Sequence, residues 1–223
     1  MGIEKRGISD QVLRHLRRRI MLKEIQEGEY LRETELSIEL NVSRGPIREA
    51  LAKLEAENLV KKNSNGRTVV KKFGLKDITD LYDSRILLES HALTQIEKDV
   101  LDNKKDLLYR YVDQMQESYE RKSRNVDSDL AFHGLLVHMT KNNTLIQLWT
   151  SLSGMLETLI EITNEYTEPQ QQEIIHDHIL LADALVAGDV EKAQELLTIH
   201  LKEASEYFCD AVQKLSTGGI KHA

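Results

Sequence analysis

One stretch, from Leu36 to Leu51, limits what this chain can fold into more than any other. Leu36 and Leu40 stand i,i+4 on one short helix, and Val42 is placed to fill the turn that follows. Ile47, Leu51 and Leu54 repeat at helical spacing on the next segment. Each of the two helices therefore has one apolar face, and the short link between them forces the faces together. Ser43 is a candidate N-cap, and Pro46 lies in the first turn, where its missing N–H costs little. Glu49 follows one turn later, where a carboxylate still suits the positive helix end. The second helix thus begins at Ser43 or Arg44, with Arg44, Gly45 and Arg48 pointing outward. In a helix-turn-helix this end enters the major groove, where arginine reads guanine or clamps a phosphate.

The flanking segments extend the motif. A first helix is predicted over about Ser9 to Lys23, with Val12, Leu13, Leu16 and Ile20 on its apolar side. Arg14, Arg17, Arg18 and Arg19 crowd the remainder, either solvated or against a phosphate backbone. Gly28 breaks the chain, and Glu29 to Glu33 lead into the second helix. Residues 58–62 and 67–71 read as two strands around the turn Asn63-Ser64-Asn65-Gly66. Directly after a helix-turn-helix, such a hairpin is a wing, with Asn65, Gly66 and Arg67 at its tip. A glycine there lets backbone approach a duplex closely. A plain hairpin with a flexible tip is the alternative.

Composition narrows the class. With 223 residues, 40% of them hydrophobic, the chain has material for a sizeable core. Abundant Leu, Glu and Lys with only 2 Pro favour a mainly helical protein. No apolar run reaches the roughly 18 residues of a membrane span. The single Cys209 excludes an intramolecular disulfide and suits a reducing cytoplasm. The opening residues lack an apolar signal region, and Arg6 stands where a myristoylation motif wants Ser or Thr. The net charge of −7 is unevenly divided: residues 1–72 carry 16 Lys and Arg against 11 Asp and Glu. The remainder carries 14 against 26, so the basic part is the one suited to phosphates.

Phe73-Gly74-Leu75 reads as a linker, and beyond it only helical periodicity appears. The expected organisation is a winged-helix domain over 1–73, a bundle of about six helices over 74–215 and a disordered tail over 216–223. The bundle helices are placed at about 76–99, 104–123, 127–140, 144–166, 170–187 and 189–214. Their breaks fall at Asp102-Asn103, Arg124-Asn125, Lys141-Asn142-Asn143, Glu168-Pro169 and Gly188-Asp189.

A polar constellation marks the bundle. Asp129 and His133 stand i,i+4 on one helix, His178 shares a stripe with Ile174, Ile175, Leu181 and Leu185, and His200 shares one with Leu196, Leu197, Ala204 and Phe208. Three neutral imidazoles and a carboxylate suit Zn, Ni, Mn or a similar divalent ion, and they equally suit a satisfied polar core. His176 falls about 200° around the helix from His178 and so faces elsewhere. His91, His138 and His222 carry no such pattern. Arg85, among Leu81, Leu88 and Ala92, either binds a carboxylate bidentately or pairs with Asp83 or Glu89 on the surface.

These motifs resemble the GntR family of transcriptional regulators, FadR type, over nearly the whole chain. The resemblance rests on Val42 to Leu51 with Leu54-Glu55-Ala56-Glu57-Asn58-Leu59-Val60, on Tyr82 to Glu89, on Asp129 to His133, and on His178 to Ala184 with Ala187-Gly188-Asp189, Ala193 and His200. It implies a winged helix followed by an all-helical FCD ligand-binding domain, and six bundle helices match the VanR-type branch. It further implies base or phosphate contacts from Arg44 and Arg48, a phosphate contact from Ser43, and a minor-groove contact from Gly66. Asp129, His133, His178 and His200 match the family's metal ligands, and Arg85 a position turned toward a bound carboxylate. Partners implied are double-stranded DNA with an inverted repeat, a small organic acid and a second copy of the chain. Two positions depart from the family pattern. Thr34 stands where some members carry a DNA-contacting arginine, and Asn58 where Gly is usual, a change tolerable because Asn also adopts positive φ.

The function expected is therefore a cytoplasmic DNA-binding regulator whose operator affinity answers to a small carboxylate at a divalent-metal site. One rival is a regulator whose bundle only dimerises. Another is a helical metallohydrolase, since a His/Asp site with an open position activates water. No Glu is placed along the sequence beside the histidines as an evident base, such as the intervening Glu of His-Glu-x-x-His, which counts against that rival.

Overall fold

A computed structural model describes residues 7–121, 126–166 and 171–216. The chain divides into two compact units, one of Met1–Lys76 with Lys214–Ala223 and one of Asp77–Gln213. Each is built around its own core.

The first unit holds α1 (Ile8–Met21), β1 (Tyr30–Leu31), α2 (Glu33–Glu39), α3 (Arg44–Ala56), β2 (Val60–Lys62) and β3 (Thr68–Val70). Helix α1 packs on α3 through Val12, Leu16 and Ile20 against Ile47, Ala50, Leu51 and Leu54, all at most 4% exposed. The turn between α2 and α3 works through Asn41, whose φ of 52° is the left-handed conformation that Asn tolerates. The Ser37 hydroxyl then donates to the Val42 carbonyl at 2.6 Å, tying the end of α2 to the entry of α3. Ser43 occupies the N-cap in extended conformation, but its side chain makes no capping hydrogen bond.

Strands β2 and β3 pair antiparallel with Val60 opposite Val70, and Gly66 at their turn has φ +76°. Asn58 has φ 62°, the conformation expected of it where Gly is usual. The strand β1 was not foreseen. Tyr30 pairs with Val69 and Leu31 with Thr68, giving sheet order β1-β3-β2. Two residues cannot show an alternating pattern, so only the partner strand reveals that the lead-in to α2 is a strand. Arg17 is a second correction: neither solvated nor aimed at phosphates, it is 4% exposed and paired bidentately with Glu57 at 2.7 and 2.8 Å. Arg19 pairs with Glu39 at 2.6 Å.

The second unit consists of α4 (Leu75–Gln95), α5 (Lys98–Glu120), α6 (Val126–His138), α7 (Asn143–Tyr166), α8 (Gln171–Val186) and α9 (Val190–Ser216). No described helix is long and apolar enough to cross a membrane. The expected break at Asp102-Asn103 does not exist. Helix α5 runs through it, and the true break is at Ile96-Glu97, with Glu97 as N-cap in extended conformation. Asn103 is accommodated within the helix, its side-chain amide donating to the Asp99 carbonyl one turn back at 2.6 Å. Polar residues that signal a loop here decorate the first turns of a helix instead. The expected breaks at Arg124-Asn125 and Glu168-Pro169 and the tail beyond Ser216 lie outside the described residues. The remaining breaks are where expected, at Lys141 with φ 55° and Gly188 with φ 80°.

Helix α6 packs against α5 and α7, and α8 against α5. Ala92, Val137, Leu145 and Trp149 form one apolar cluster. Gly134 is part of that fit: a Cβ there would meet two Trp149 ring carbons at 3.1 Å. The indole can therefore lie flat on α6, which directs its N–H into the bundle interior.

Candidate metal centre and nucleic-acid interface

Three helices of the bundle converge on one point. Asp129 and His133 come from α6, His178 from α8 and His200 from α9, and one ligand-type atom of each lies within 4.8 Å of the others. His133 and His178 are at most 1% exposed and His200 is 8% exposed. Every one of these four sequence-predicted positions is thus in the cluster, while His176 is exposed, as its helical phase requires.

The outer nitrogens of the rings decide the protonation pattern. His133 Nδ1–H donates to Glu89 Oε2 at 2.6 Å, and His178 Nδ1–H donates to the Ile174 carbonyl at 2.7 Å. His200 Nδ1–H faces Asp177 Oδ2 at 3.3 Å. A carbonyl or carboxylate oxygen only accepts, so each Nδ1 carries the proton and a neutral ring must present a bare lone pair at Nε2. Yet His133 Nε2 and His178 Nε2 are 3.2 Å apart, and His178 Nε2 is 3.3 Å from Asp129 Oδ1. Lone pairs so close repel unless a cation sits among them. Separations of about 3 Å are what ligands at roughly 2 Å from a common ion produce. The donor set fits a divalent metal, with an acceptor holding the outer nitrogen of each ring, as metal-binding histidines usually have.

Local charge agrees. Burial, and after it the nearby Arg85 charge, pushes His133 down to about 4, and burial also lowers His200, so both rings stay neutral at ordinary pH. Burial alone would raise Asp129, but its contact with His178 and the nearby Arg85 charge hold it well below the usual carboxylate range. Asp177 is lowered by its hydrogen bond with His200.

Beside the cluster lies a second buried group. Arg85 does pair with Glu89, but in the interior rather than on the surface: Nε to Oε1 is 2.6 Å, with exposures of 2% and 0%. Trp149 Nε1 donates to the same Oε1 at 3.0 Å. Burial would raise Glu89, and the Arg85 charge with the donors His133 and Trp149 brings it down to about 2. One carboxylate thus ties a histidine of the cluster to the guanidinium. Arg85 Nη2 and the Tyr82 hydroxyl are buried without hydrogen-bond partners, and the guanidinium carbon lies 5.6 Å from the centre of the Tyr82 ring. Unbonded buried donors are costly, and a molecule with acceptor atoms could satisfy them.

Sequence reasoning missed Glu89 in this role, together with Asp177, Trp149 and Tyr82. The spacing of Arg85 and Glu89 showed that they could pair. Nothing in the sequence showed that the pair would be buried against a different helix.

In the first unit the expected contact residues lie where sequence placed them. Ser43, Arg44, Gly45 and Arg48 are exposed on the first turns of α3. Asn65, Gly66 and Arg67 are exposed at the hairpin tip, where Asn65 Oδ1 accepts from the Arg67 amide at 3.2 Å and the Arg67 guanidinium lies 5.6 Å from the centre of the Tyr30 ring. Arg48 has a partner that sequence did not reveal: Glu33 of α2, at 3.1 and 3.3 Å. Thr34 beside it is exposed.

Comparison with known proteins places these two sites in a family. The sequence model of the FCD domain matches residues 80–203, and that of the bacterial regulatory proteins of the gntR family matches residues 8–70. The chain belongs to the GntR family. The gluconate operon transcriptional repressor of Bacillus subtilis is 28% identical over 196 residues, covering 84% of this chain and 79% of the relative. A GntR transcriptional regulator from Rhodococcus sp. RHA1 shares the fold with a TM-score of 0.63 at 23% identity, over 91% of this chain and 97% of that one. A solved structure described as a metal-free FCD domain matches with a TM-score of 0.55 at 19% identity, over 64% of this chain and 99% of its own. This GntR-family member is thus a DNA-binding transcriptional regulator and not an enzyme, with its helix-turn-helix in the first unit and its His/Asp cluster within the FCD domain.

Proposed function

We propose that this regulator binds its operator as a homodimer in the cytoplasm, and that a small carboxylate held beside a divalent metal in the bundle sets its operator affinity. One observation carries the reading. Four acceptor atoms converge from Asp129, His133, His178 and His200, while Arg85 Nη2 and the Tyr82 hydroxyl stand buried and unbonded on α4. The four acceptors would hold the ion, with Zn, Ni and Mn all suited to the ligand set. A bound ion supplies a Lewis-acidic attachment point for one carboxylate oxygen. Arg85 then takes the carboxylate through its free N–H group and excludes neutral molecules of the same shape. The gluconate operon repressor among the relatives supports an organic acid as effector.

On the DNA side, Ser43, Arg44, Gly45 and Arg48 would meet the major groove and its phosphates, and Asn65, Gly66 and Arg67 would bring the wing to the neighbouring groove. Winged-helix domain 1–73 and bundle 74–215 divide the work, with two copies of α3 reading an inverted repeat. The acid alters operator affinity by binding one state of the dimer better than another.

The test is thermal unfolding of chelator-stripped protein with and without Zn²⁺, Ni²⁺ or Mn²⁺, across a panel of small carboxylic acids. A ligand at about 100 times its dissociation constant adds roughly 2.7 kcal/mol to the native state, a visible rise in melting temperature. A metal-dependent rise with one acid, followed by an acid-dependent gel shift, supports the reading. No rise with any metal would leave the four residues as a polar core and the bundle as a dimerisation device.

A further inference from the structure

Arg67 at the hairpin tip is exposed, and among the described residues no carboxylate pairs with its guanidinium. Arg32 and Arg48, exposed in the same unit, each meet a glutamate. Arg67 meets a ring instead, with its Cζ 5.6 Å from the centre of Tyr30. The strand register explains the contact. Tyr30 lies opposite Val69 on one side and Lys61 lies opposite it on the other. Directly opposed residues share a face, and Arg67, two residues before Val69, falls on the diagonal from Tyr30. The Asn63 N–H donates to the Arg67 carbonyl, which carries the pairing of the hairpin out to this residue.

Shielding Val69 needs only an aliphatic side chain. Tyr30 is 46% exposed, too far out in water for burial to be its main contribution. Its position along the chain matters as well. The strand β1 ends at Leu31, and α2 begins at Glu33, the partner of Arg48 on α3. One short segment therefore touches both the arginine of the wing and an arginine of the reading helix.

We infer that Tyr30 is a positioning residue for the wing, holding Arg67 ready for a minor groove over A·T pairs. The inference rests on the DNA reading of the wing proposed above. A long side chain free in water loses rotamer freedom when it binds, and a ring that already limits its orientation lowers that cost. A carboxylate in the same place would orient the guanidinium too, but it would cancel the charge and repel phosphates. The face of a neutral ring attracts the cation and leaves its N–H groups to the DNA. The minor groove over A·T tracts is narrow and strongly negative, which favours an inserted arginine.

The experiment starts from a duplex that the full-length wild-type protein selects from a random pool, on which variants are compared by fluorescence anisotropy. Arg67→Ala should weaken binding at least about fivefold. Tyr30→Leu should weaken it about 3- to 30-fold, and Tyr30→Phe, which keeps the ring, less than about twofold. In the Arg67→Ala background, Tyr30→Leu should change affinity less than about twofold, because Tyr30 acts through Arg67. A second readout addresses the groove, at the base pairs where Arg67→Ala loses selectivity. Inosine lacks the minor-groove amino group of guanine, so inosine·cytosine keeps the minor-groove edge of A·T and G·C does not. The wild type should bind the inosine duplex at least about fivefold better than the G·C one, and Tyr30→Leu should reduce that preference at least about twofold.

No loss from Tyr30→Leu overturns the inference. So does the same loss with and without Arg67, which makes the ring purely structural, and so does the same loss from Tyr30→Phe, which makes the hydroxyl a direct contact. Equal affinity for the inosine and G·C duplexes overturns it as well. Should Tyr30→Leu not melt cooperatively, Tyr30→Val takes its place. Full affinity in Arg67→Ala overturns the proposed role of the wing and this inference with it, and selection of no sequence by the wild type overturns the DNA reading as a whole.

Discussion

Arg48 and Arg85 each pair with a glutamate, and the contrast between the two pairs separates the two halves of the molecule. Arg48 meets Glu33 across the solvent-facing side of α2 and α3, with exposures of 68% and 36%. Arg85 meets Glu89 within α4 at 2% and 0%. Water competes for the first pair and screens it, so the arginine can leave its partner for a base or phosphate at small cost. Nothing competes for the second, so it is a permanent part of the core and its geometry is the geometry of the site. The helix-turn-helix unit thus keeps this pair exchangeable, while the bundle keeps its own fixed.

The largest effect expected from this contrast follows from breaking the buried pair. Arg85→Ala leaves Glu89 buried without its cation, and should lower unfolding stability by about 3–5 kcal/mol in urea melts. Survival of that variant at wild-type stability would mean that the interior is wetter than its packing implies. The next effect is on pH. His133 is held at about 4 in the folded chain against an ordinary 6.5, so the unfolded chain takes up the extra proton between these values. Metal-free protein should therefore lose stability as pH falls from about 6.5 toward 4, by about 1 kcal/mol per pH unit for one such ring. Saturating Ni²⁺ should restore stability in the upper part of that window. A flat melting temperature from pH 7.5 to 5 in the stripped protein would show that His133 is not buried as a neutral ring.

The exposed half answers differently. Arg44→Ala and Arg48→Ala should each weaken operator binding roughly 5- to 150-fold in gel shifts and leave the melting temperature nearly unchanged. Loss at one base pair only would identify a base contact, and uniform loss with a shallower salt dependence a phosphate contact. Smallest of all, Glu33→Gln should move the melting temperature by less than about 1 °C, since it removes only a solvent-screened pair. A larger shift would erase the distinction between the two pairs.

Much of this was legible beforehand because it is local. The i,i+4 spacing of Leu36 and Leu40, the run from Val42 to Leu51 and the hairpin turn at Gly66 report on backbone geometry within a few residues. Six bundle helices followed from periodicity, and Asp129 with His133 from one helical turn. Two local readings failed where a polar cluster or a very short segment carried the signal. Asp102-Asn103 sits inside α5, and Tyr30-Leu31 is a strand only by virtue of β3.

By itself, the sequence determined which residues share a helix face, and therefore which families of atoms could meet. It named Asp129, His133, His178, His200 and Arg85, and the exposed start of α3. Only the tertiary structure decided that Glu89 joins His133 to Arg85, that Trp149 lies on Gly134 to reach the same carboxylate, and that Asp177 backs His200. It also decided that Arg17 is an interior tether and Arg48 a surface one. The physical reason is common to these cases. A charged side chain's role depends on its dielectric surroundings and on partners that arrive from other helices, and neither is encoded in its own neighbourhood along the chain.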